Sequence, residues 1–559
     1  MHSFKNILTL TGLGLGALLL SACSDNSNDQ SQSAKPVDDP NAVNVLFAYG
    51  SEKQAWVEEV TAGFNNAKVQ LASGKTIHIQ TQPMGSGELV EGLLDGSLQA
   101  HLGSPASDAF IKLGNAQAQV KTNKDLFDHT EQLVLSPVVI AMWKPMAEAL
   151  GWGKKTISWK DIVTLAKDPK GWASYGYPQW GKFKFGHTHP DYSNSGLISL
   201  FAEVYAGAGK VSGLTLEDVR NPQTADYLHS IEQAVVHYGR STGFFGNKLM
   251  DNGPGYLSAA VLYENMVIES YQRNNLPFPI VAIYPQEGTF WSDHPAGIVN
   301  APWVSAEQRE AAGIYLKFLL DKPQQERALA YGFRPADVNI PLAAPLDAQH
   351  GVDPAEPKTT LEVPSVTVMN EIKQLWYQQK RHANIVLVLD TSGSMSGEKM
   401  DNARQGALQL LDMLGAEDNF SLLPFNSQPD WVMQNEKVAD KRDEAKRQVE
   451  ALFASGGTAL YDAIAAAHSF LQHQSAENIA AIVILSDGAD SNSQMTLEEL
   501  HSKIALDAEH QAIRIFPIAY GDGARLDVLK DIAQTTQTQA YSGTPQNINT
   551  VFREISTFF

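Results

Sequence analysis

The sequence predicts an α/β chain of two units, the second of them doubly wound around a parallel sheet. Three observations carry that expectation. Residues 43–346 alternate short apolar runs with segments whose apolar residues repeat at helical spacing. Residues 347–364 are rich in Pro and Asp and lack any period, which reads as a linker. Residues 385–389 form an unbroken run of Ile, Val and Leu, the pattern of a strand buried on both faces of a parallel sheet. The 559 residues, 43% hydrophobic and 19% charged, suffice for several cores. A formal net charge of −20, without clustered Lys and Arg, sets nucleic acid aside as a partner.

The chain opens with Lys5 in a short polar stretch, an apolar run over residues 7–20, and Leu20-Ser21-Ala22-Cys23. That is the layout of an export signal, and the run is short for a membrane-spanning helix. The single cysteine, Cys23, excludes intramolecular disulfides and cysteine-rich zinc sites. The tetrapeptide resembles the lipobox of bacterial lipoproteins. The resemblance implies a signal peptide over 1–22, lipidation of Cys23, and attachment to a membrane through acyl chains. Residues 23–40, rich in Ser, Asn, Asp and Gln, read as a flexible tether. By the sorting rule of that family, Ser24 implies the outer membrane, so the protein is expected in the cell envelope facing the periplasm. ATP and GTP are scarce there, which lowers the weight of nucleotide-driven functions.

The first unit, 41–346, begins with a strand over 43–49 ending in Gly50-Ser51 and a helix over 54–64. A strand over 77–82 is broken by Gly85-Ser86-Gly87 before a helix over 88–94. Apolar runs at 133–142 and 278–284 are expected to cross between two lobes. Ser hydroxyls and free N–H groups at helix starts suit a small anion. Ser51, Ser86, Ser193 and Ser195 are therefore the ligand candidates, although Ser before an apolar helix is also a common cap. Most of this unit resembles the two-lobed periplasmic solute-binding proteins that serve transport systems for small oxyanions. The resemblance rests on Tyr49-Gly50-Ser51, Gly85-Ser86-Gly87, His189 to Gly196, Tyr284 to Phe290 and Ser292 to Pro295. Asp191, Glu264, Glu287 and Asp293 in or beside these segments keep a cation, a sugar or an amine-bearing solute open besides an oxyanion. His187, Thr188, His189 and Asp191 invite a metal reading, against which stands the usual structural role of loop histidines.

After a linker and polar helix over 347–383, the second unit, 384–559, places three loops at the carboxyl edge of its expected sheet. They are Asp390-x-Ser392-x-Ser394, Ser455-Gly456-Gly457-Thr458 and Ser486-Asp487-Gly488. An amphipathic helix over 399–414 follows the first, and strands are expected at 420–425, 481–485 and 513–520. Helices are expected near 437–453, 459–473 and 497–509. Hydroxyls and carboxylates from three loops suit Mg²⁺ or a similar hard cation, Mn²⁺ or Ca²⁺ included. The set resembles the metal-ion-dependent adhesion site of von Willebrand factor A domains. The resemblance implies direct binding by Ser392 and Ser394, binding by Thr458 directly or through water, and waters held by Asp390 and Asp487. It also implies an open metal position for a partner's Glu or Asp.

Hydrolase signatures such as G-x-S-x-G and H-E-x-x-H are missing from the sequence. Gly176 to Phe183 approaches a phosphate-binding loop, but Phe183 replaces the required hydroxyl and Pro178 removes an N–H. The sequence thus leads to a non-enzymatic, lipid-anchored binding protein joining a solute-binding domain to a metal-dependent protein-interaction domain. The competing expectation is a solute receptor of a membrane transport system, with the second unit as a docking accessory. A third class, a cytoplasmic chelatase-like A domain working with an ATPase, conflicts with the lipobox.

Overall fold

The computed structural model describes residues 39–475, 477–505, 513–521, 524–544 and 547–559. The expected signal peptide, Cys23 and nearly all of the tether lie outside the described residues. Three sheets organise the rest. In the first lobe, Thr76–Met84, Ala42–Gly50 and Leu102–Ser104 pair in parallel, and Pro295–Ile298 and Glu131–Gln132 complete the sheet. Val43, Val45, Phe47 and Tyr49 alternate onto one face, where they pack with Trp56, Phe64 and Tyr315 of the helices Gln54–Asn66 and Ala306–Leu320. The second lobe orders Trp291–Ser292, Val134–Trp143, Ala259–Tyr263, Phe185–Thr188 and Val235–Gly239, with Ile280–Ile283 and Arg334–Pro335 also on Val134–Trp143.

The chain passes between the lobes at 132–134, as the run 133–142 predicts, and again at 292–295 and 333–334. The run 278–284 does not cross. Its strand Ile280–Ile283 stays in the second lobe beside Ile140 to Trp143. Crossing falls instead to Ser292-Asp293-His294-Pro295, a polar stretch with His294 in the left-handed region at φ 39°. Residues 347–364 are no free linker either. Arg334 donates to the carbonyls of Asp353, Pro354 and Glu356, and Leu361 N donates to Thr289 O at 2.9 Å. Leu361 and Val352 are buried, so the segment is a strap across the second lobe.

The third sheet runs Met433–Lys437, Asn419–Phe425, Ala383–Asp390, Ile479–Ser486, Arg514–Tyr520 and Tyr541–Gly543, parallel except at its first strand. All eight residues of Ala383–Asp390 are buried. Ile385, Leu387 and Leu389 face the helices Glu398–Met413 and Ile548–Ser556. Val386 and Val388 face Leu460–Gln472 and its neighbours, which makes the unit doubly wound as expected.

This unit is packed against the second lobe through one continuous apolar core. The helix Val366–Gln379 buries Trp376 against His189 and Tyr238, while its Lys373 and Tyr377 both reach the Asp191 carboxylate. Arg240 bridges Glu88 of the first lobe and Glu554 of the last helix. Among the described residues no helix is long and apolar enough to cross a membrane.

Candidate functional site

Parallel pairing places Asp390 and Ser486 at the carboxyl ends of adjacent central strands. Both Asp390 oxygens are engaged: Ser392 N donates to Oδ1 at 2.8 Å and Ser486 Oγ to Oδ2 at 2.6 Å. Burial pushes this carboxyl upward, opposed by those same hydrogen bonds. Ser392 Oγ lies 3.0 Å from Ser394 Oγ, which donates to Asp487 Oδ1 at 2.7 Å. The remaining Asp487 oxygen takes the Lys399 ammonium at 2.5 Å. The loop Ser455 to Thr458 is stitched to the Asp390 loop by Gly393 N to Gly456 O at 3.0 Å and Ser455 N to Thr391 O at 2.7 Å. It presents Thr458, whose N–H is held by Ser491 Oγ and Asn492 Oδ1. A Cβ on Gly488 would stand 3.6 Å from Thr458 Oγ1 and 3.9 Å from Ser394 Oγ, so both hydroxyls border one gap.

All five sequence-predicted metal residues therefore meet at one sheet edge. Among the described residues no group of three or more His, Cys, Asp or Glu is placed to hold a metal. An ion here would rest on hydroxyls and two carboxylates, an all-oxygen set that fits Mg²⁺, Mn²⁺ or Ca²⁺.

The second constellation lies between the lobes. Ser51 Oγ donates to Ser241 Oγ at 2.9 Å and accepts from Gly243 N at 3.0 Å. Ser193 shares a 3.1 Å hydrogen bond with Thr242, whose hydroxyl donates to Ser195 at 3.0 Å. Ser107 Oγ reaches Asn194 Oδ1 across the seam at 2.5 Å, and Asn194 continues to Tyr263 and Ser292. Ser86 departs from the group, because its hydroxyl accepts from Ala106 N inside the first lobe. The adjoining Gly87 N donates across to Tyr192 O at 3.0 Å. A Cβ on Gly87 would come within 1.8 Å of Asp191 O, so only glycine permits this approach.

Ser107, Ser193 and Ser241 each precede a helix with extended backbone, yet none caps it. Elsewhere Ser158, Ser305 and Ser365 do cap their helices. The seam hydroxyls are turned toward the opposite elements instead. Beside them lie three buried groups that no sequence motif joins. Glu52 Oε1 takes Lys53 Nζ at 2.8 Å and lies 3.2 Å from His294 Nδ1. Burial would raise the Glu52 carboxyl, but the Lys53 ammonium and His294 hold it down to about 2. Burial and the Lys53 charge lower His294 to about 4.

The four carboxylates that clouded the ligand class are committed elsewhere. Asp191 pairs with Lys373, Glu264 accepts from Arg334 Nε and Nη2 at 2.8 Å each, Glu287 accepts from Trp159 N, and Asp293 from Asp108 N. The histidine pair is structural in geometry: His187 spans Thr188 O and Glu232, while His189 stacks edge-on to Trp376. Residues 176–183 form tight turns rather than a strand-to-helix phosphate loop. Sequence reading missed Ser107, Ser241 and Thr242, although they obey the same rule of a hydroxyl opening a helix.

A family model for bacterial extracellular solute-binding proteins matches residues 45–334, and one for the von Willebrand factor type A domain matches 384–554. An uncharacterized protein of Synechocystis sp. is 28% identical over 173 residues, 31% of this chain and 40% of that protein. Inter-alpha-trypsin inhibitor heavy chain H4 of Sus scrofa is 27% identical over 146 residues, 25% of this chain and 16% of its own. The chain thus spans less than half the length of these curated relatives. Among solved structures, the sulfate-binding protein of Mycobacterium tuberculosis is 18% identical with a TM-score of 0.37, covering 53% of this chain and 88% of that one. A von Willebrand factor type A protein of Catenulispora acidiphila is 22% identical with a TM-score of 0.28, covering 32% and 42%.

Proposed function

The chain belongs to the bacterial extracellular solute-binding protein family and carries a von Willebrand factor type A domain, and from that premise we propose that it is an envelope lipoprotein that grips an acidic protein partner through a divalent cation. Ser392, Ser394 and Thr458 would hold the ion, with Asp390 and Asp487 holding its waters. The observation that carries this reading is the convergence of Ser394 and Thr458 hydroxyls on the gap at Gly488, beside two buried carboxylates. When bound, the cation supplies an electrophilic position that an outside carboxylate can fill. The chain's own part is to hold the Ser392 and Ser394 hydroxyls together and Thr458 facing them, which the main-chain bonds between their two loops do. Nothing in this reading requires catalysis. Equilibrium dialysis against Mn²⁺ should load one ion per chain and none onto a Ser394→Ala, Thr458→Ala double variant. Equal loading of both would sink the reading.

The lobes contribute a small-solute site. Five helices, starting near Ser51, Ser86, Ser107, Ser193 and Ser241, open onto or beside the seam; Asp191, Glu264 and Glu287 are engaged away from it, Asp293 accepts from the first N–H of the Ser107 helix, and Lys53 neutralises Glu52. That balance favours a small oxyanion over a cation. Titration with sulfate and phosphate, monitored by melting temperature, tests it; no shift with either would remove the oxyanion from the proposal. Cys23 would anchor the chain to the outer membrane, and mass spectrometry of the membrane fraction should find it diacylated or triacylated. The domain limits at 41–346, 347–383 and 384–559 complete the proposal.

A further inference from the structure

Lys399 stands in the first turn of the helix Glu398–Met413, where a cation opposes the helix dipole. A residue that breaks a local rule needs a compensating contact. Here it is Asp487, whose fully buried side chain takes the ammonium at 2.5 Å while accepting the Ser394 hydroxyl on its other oxygen. The ammonium also lies near Gly521, just past the end of the strand Arg514–Tyr520: a Cβ there would be 3.8 Å from Nζ. The Lys399 side chain is 37% exposed, so its head borders both the carboxylate and solvent.

We propose that Lys399 sets the charge of the loaded metal site, and with it the ligand class: a carboxylate from an acidic partner segment rather than a neutral hydroxyl or carbonyl. The inference rests on the metal reading above. Asp390, Asp487 and Lys399 together carry one formal negative charge, so a divalent ion leaves the site one charge positive. Without Lys399 the loaded site would be neutral and would gain little from an anion. The same ammonium shares Asp487 with the incoming ion and repels it, so the lysine weakens metal binding while strengthening the attraction for the partner.

The test is calorimetric titration of the full chain with Mg²⁺, comparing wild type, Lys399→Met and Lys399→Arg. Lys399→Met should bind roughly tenfold tighter, because it keeps the stem and loses the charge, and Lys399→Arg should restore affinity close to wild type. A lysine that merely props up Asp487 would give the opposite sign, with weaker binding in Lys399→Met. Melting temperatures without metal separate that outcome from misfolding. Water-proton relaxation then reads the partner class: acetate should displace water from the Mn²⁺-loaded wild type at lower concentration than from loaded Lys399→Met. Equal metal affinity, or equal acetate sensitivity, overturns the inference alone. No metal binding by any of the three proteins overturns the metal reading itself, whereas binding by Lys399→Met only is the expected effect at its extreme.

Discussion

The rim of the third sheet and the seam between the lobes use the same vocabulary, small hydroxyls at strand ends, and assemble it in opposite ways. At the rim, Asp390, Ser394 and Asp487 hang from two strands in parallel register, with Thr458 tied to them by main-chain bonds. At the seam, Ser51 and Ser107 belong to one lobe, and Ser193, Ser195, Ser241 and Thr242 to the other. Among the described residues the chain passes between those lobes at three crossings. The rim is therefore built within one unit, and its hydrogen bonds use no residue of either lobe. The seam exists only when the lobes meet.

Substitutions at tight glycines should separate the two most strongly. In Gly87→Val the new side chain meets Asp191 O, so the lobes cannot close: sulfate should no longer raise the melting temperature, while Mn²⁺ loading stays as in wild type. Gly457→Val, whose Cβ would fall 2.0 Å from Asn492 Oδ1, should do the reverse. Each is expected to cost about 1–3 kcal/mol of stability by overpacking. Loss of both activities in either variant would mean that the sites are not independent.

Proton linkage should next act on the second lobe, where four buried groups titrate away from their ordinary values. Burial and the Glu232 charge push the Glu203 carboxyl up to about 8, and Glu232 raises His187 to about 9 against the effect of burial. Both groups are held protonated in the folded protein. Their contributions are full at low pH and decline as pH rises, from about 4.5 to 8 for Glu203 and from about 6.5 to 9 for His187. His189 and His237 have the opposite sign, since burial lowers them to about 4 and about 3. Their contribution is full above about 6.5 and is lost as pH falls. Stability should peak between these flanks. Melting curves from pH 5 to 9 should show the alkaline decline shallower in Glu203→Gln, and an unchanged slope would refute the assignment.

How much of this could be read from residues alone follows from how local each feature is. The central strand is legible because both its faces are buried, which leaves a pure run of apolar residues. The rim is legible because Asp390, Ser392 and Ser394 are spelled within five positions. The crossing at 292–295 is short and polar, so no apolar run marks it. Glu52, Lys53 and His294 meet from some 240 positions apart, and nothing local announces the contact. The edge strand Met433–Lys437 is polar and mostly exposed, so alternation gives no sign of it. Residues 347–364 look like a linker because they are held by scattered main-chain bonds to Arg334, Ala282, Thr289 and Val211 and by two isolated buried residues, Val352 and Leu361, which leave no period in the sequence.

A smaller effect tests the unused caps. Ser305→Ala removes a hydroxyl that accepts from Gln308 N and should lower stability by about 1 kcal/mol. Ser241→Ala removes no cap but leaves the buried Ser51 hydroxyl without its 2.9 Å acceptor, so it should cost about 1–3 kcal/mol and also weaken sulfate binding, which Ser305→Ala leaves unchanged. Denaturant melts with and without sulfate distinguish the two. Equal behaviour would return Ser241 to an ordinary helix start.

The measurement that bears most directly on the rim as a divalent-cation site is calorimetric titration with Mg²⁺ of the wild-type chain beside an Asp390→Ala, Ser392→Ala variant. Saturable heat at one ion per chain in the wild type, lost in a variant that still melts cooperatively, is the expected result. Equal heats from both proteins, or none from the wild type at millimolar Mg²⁺, would contradict it.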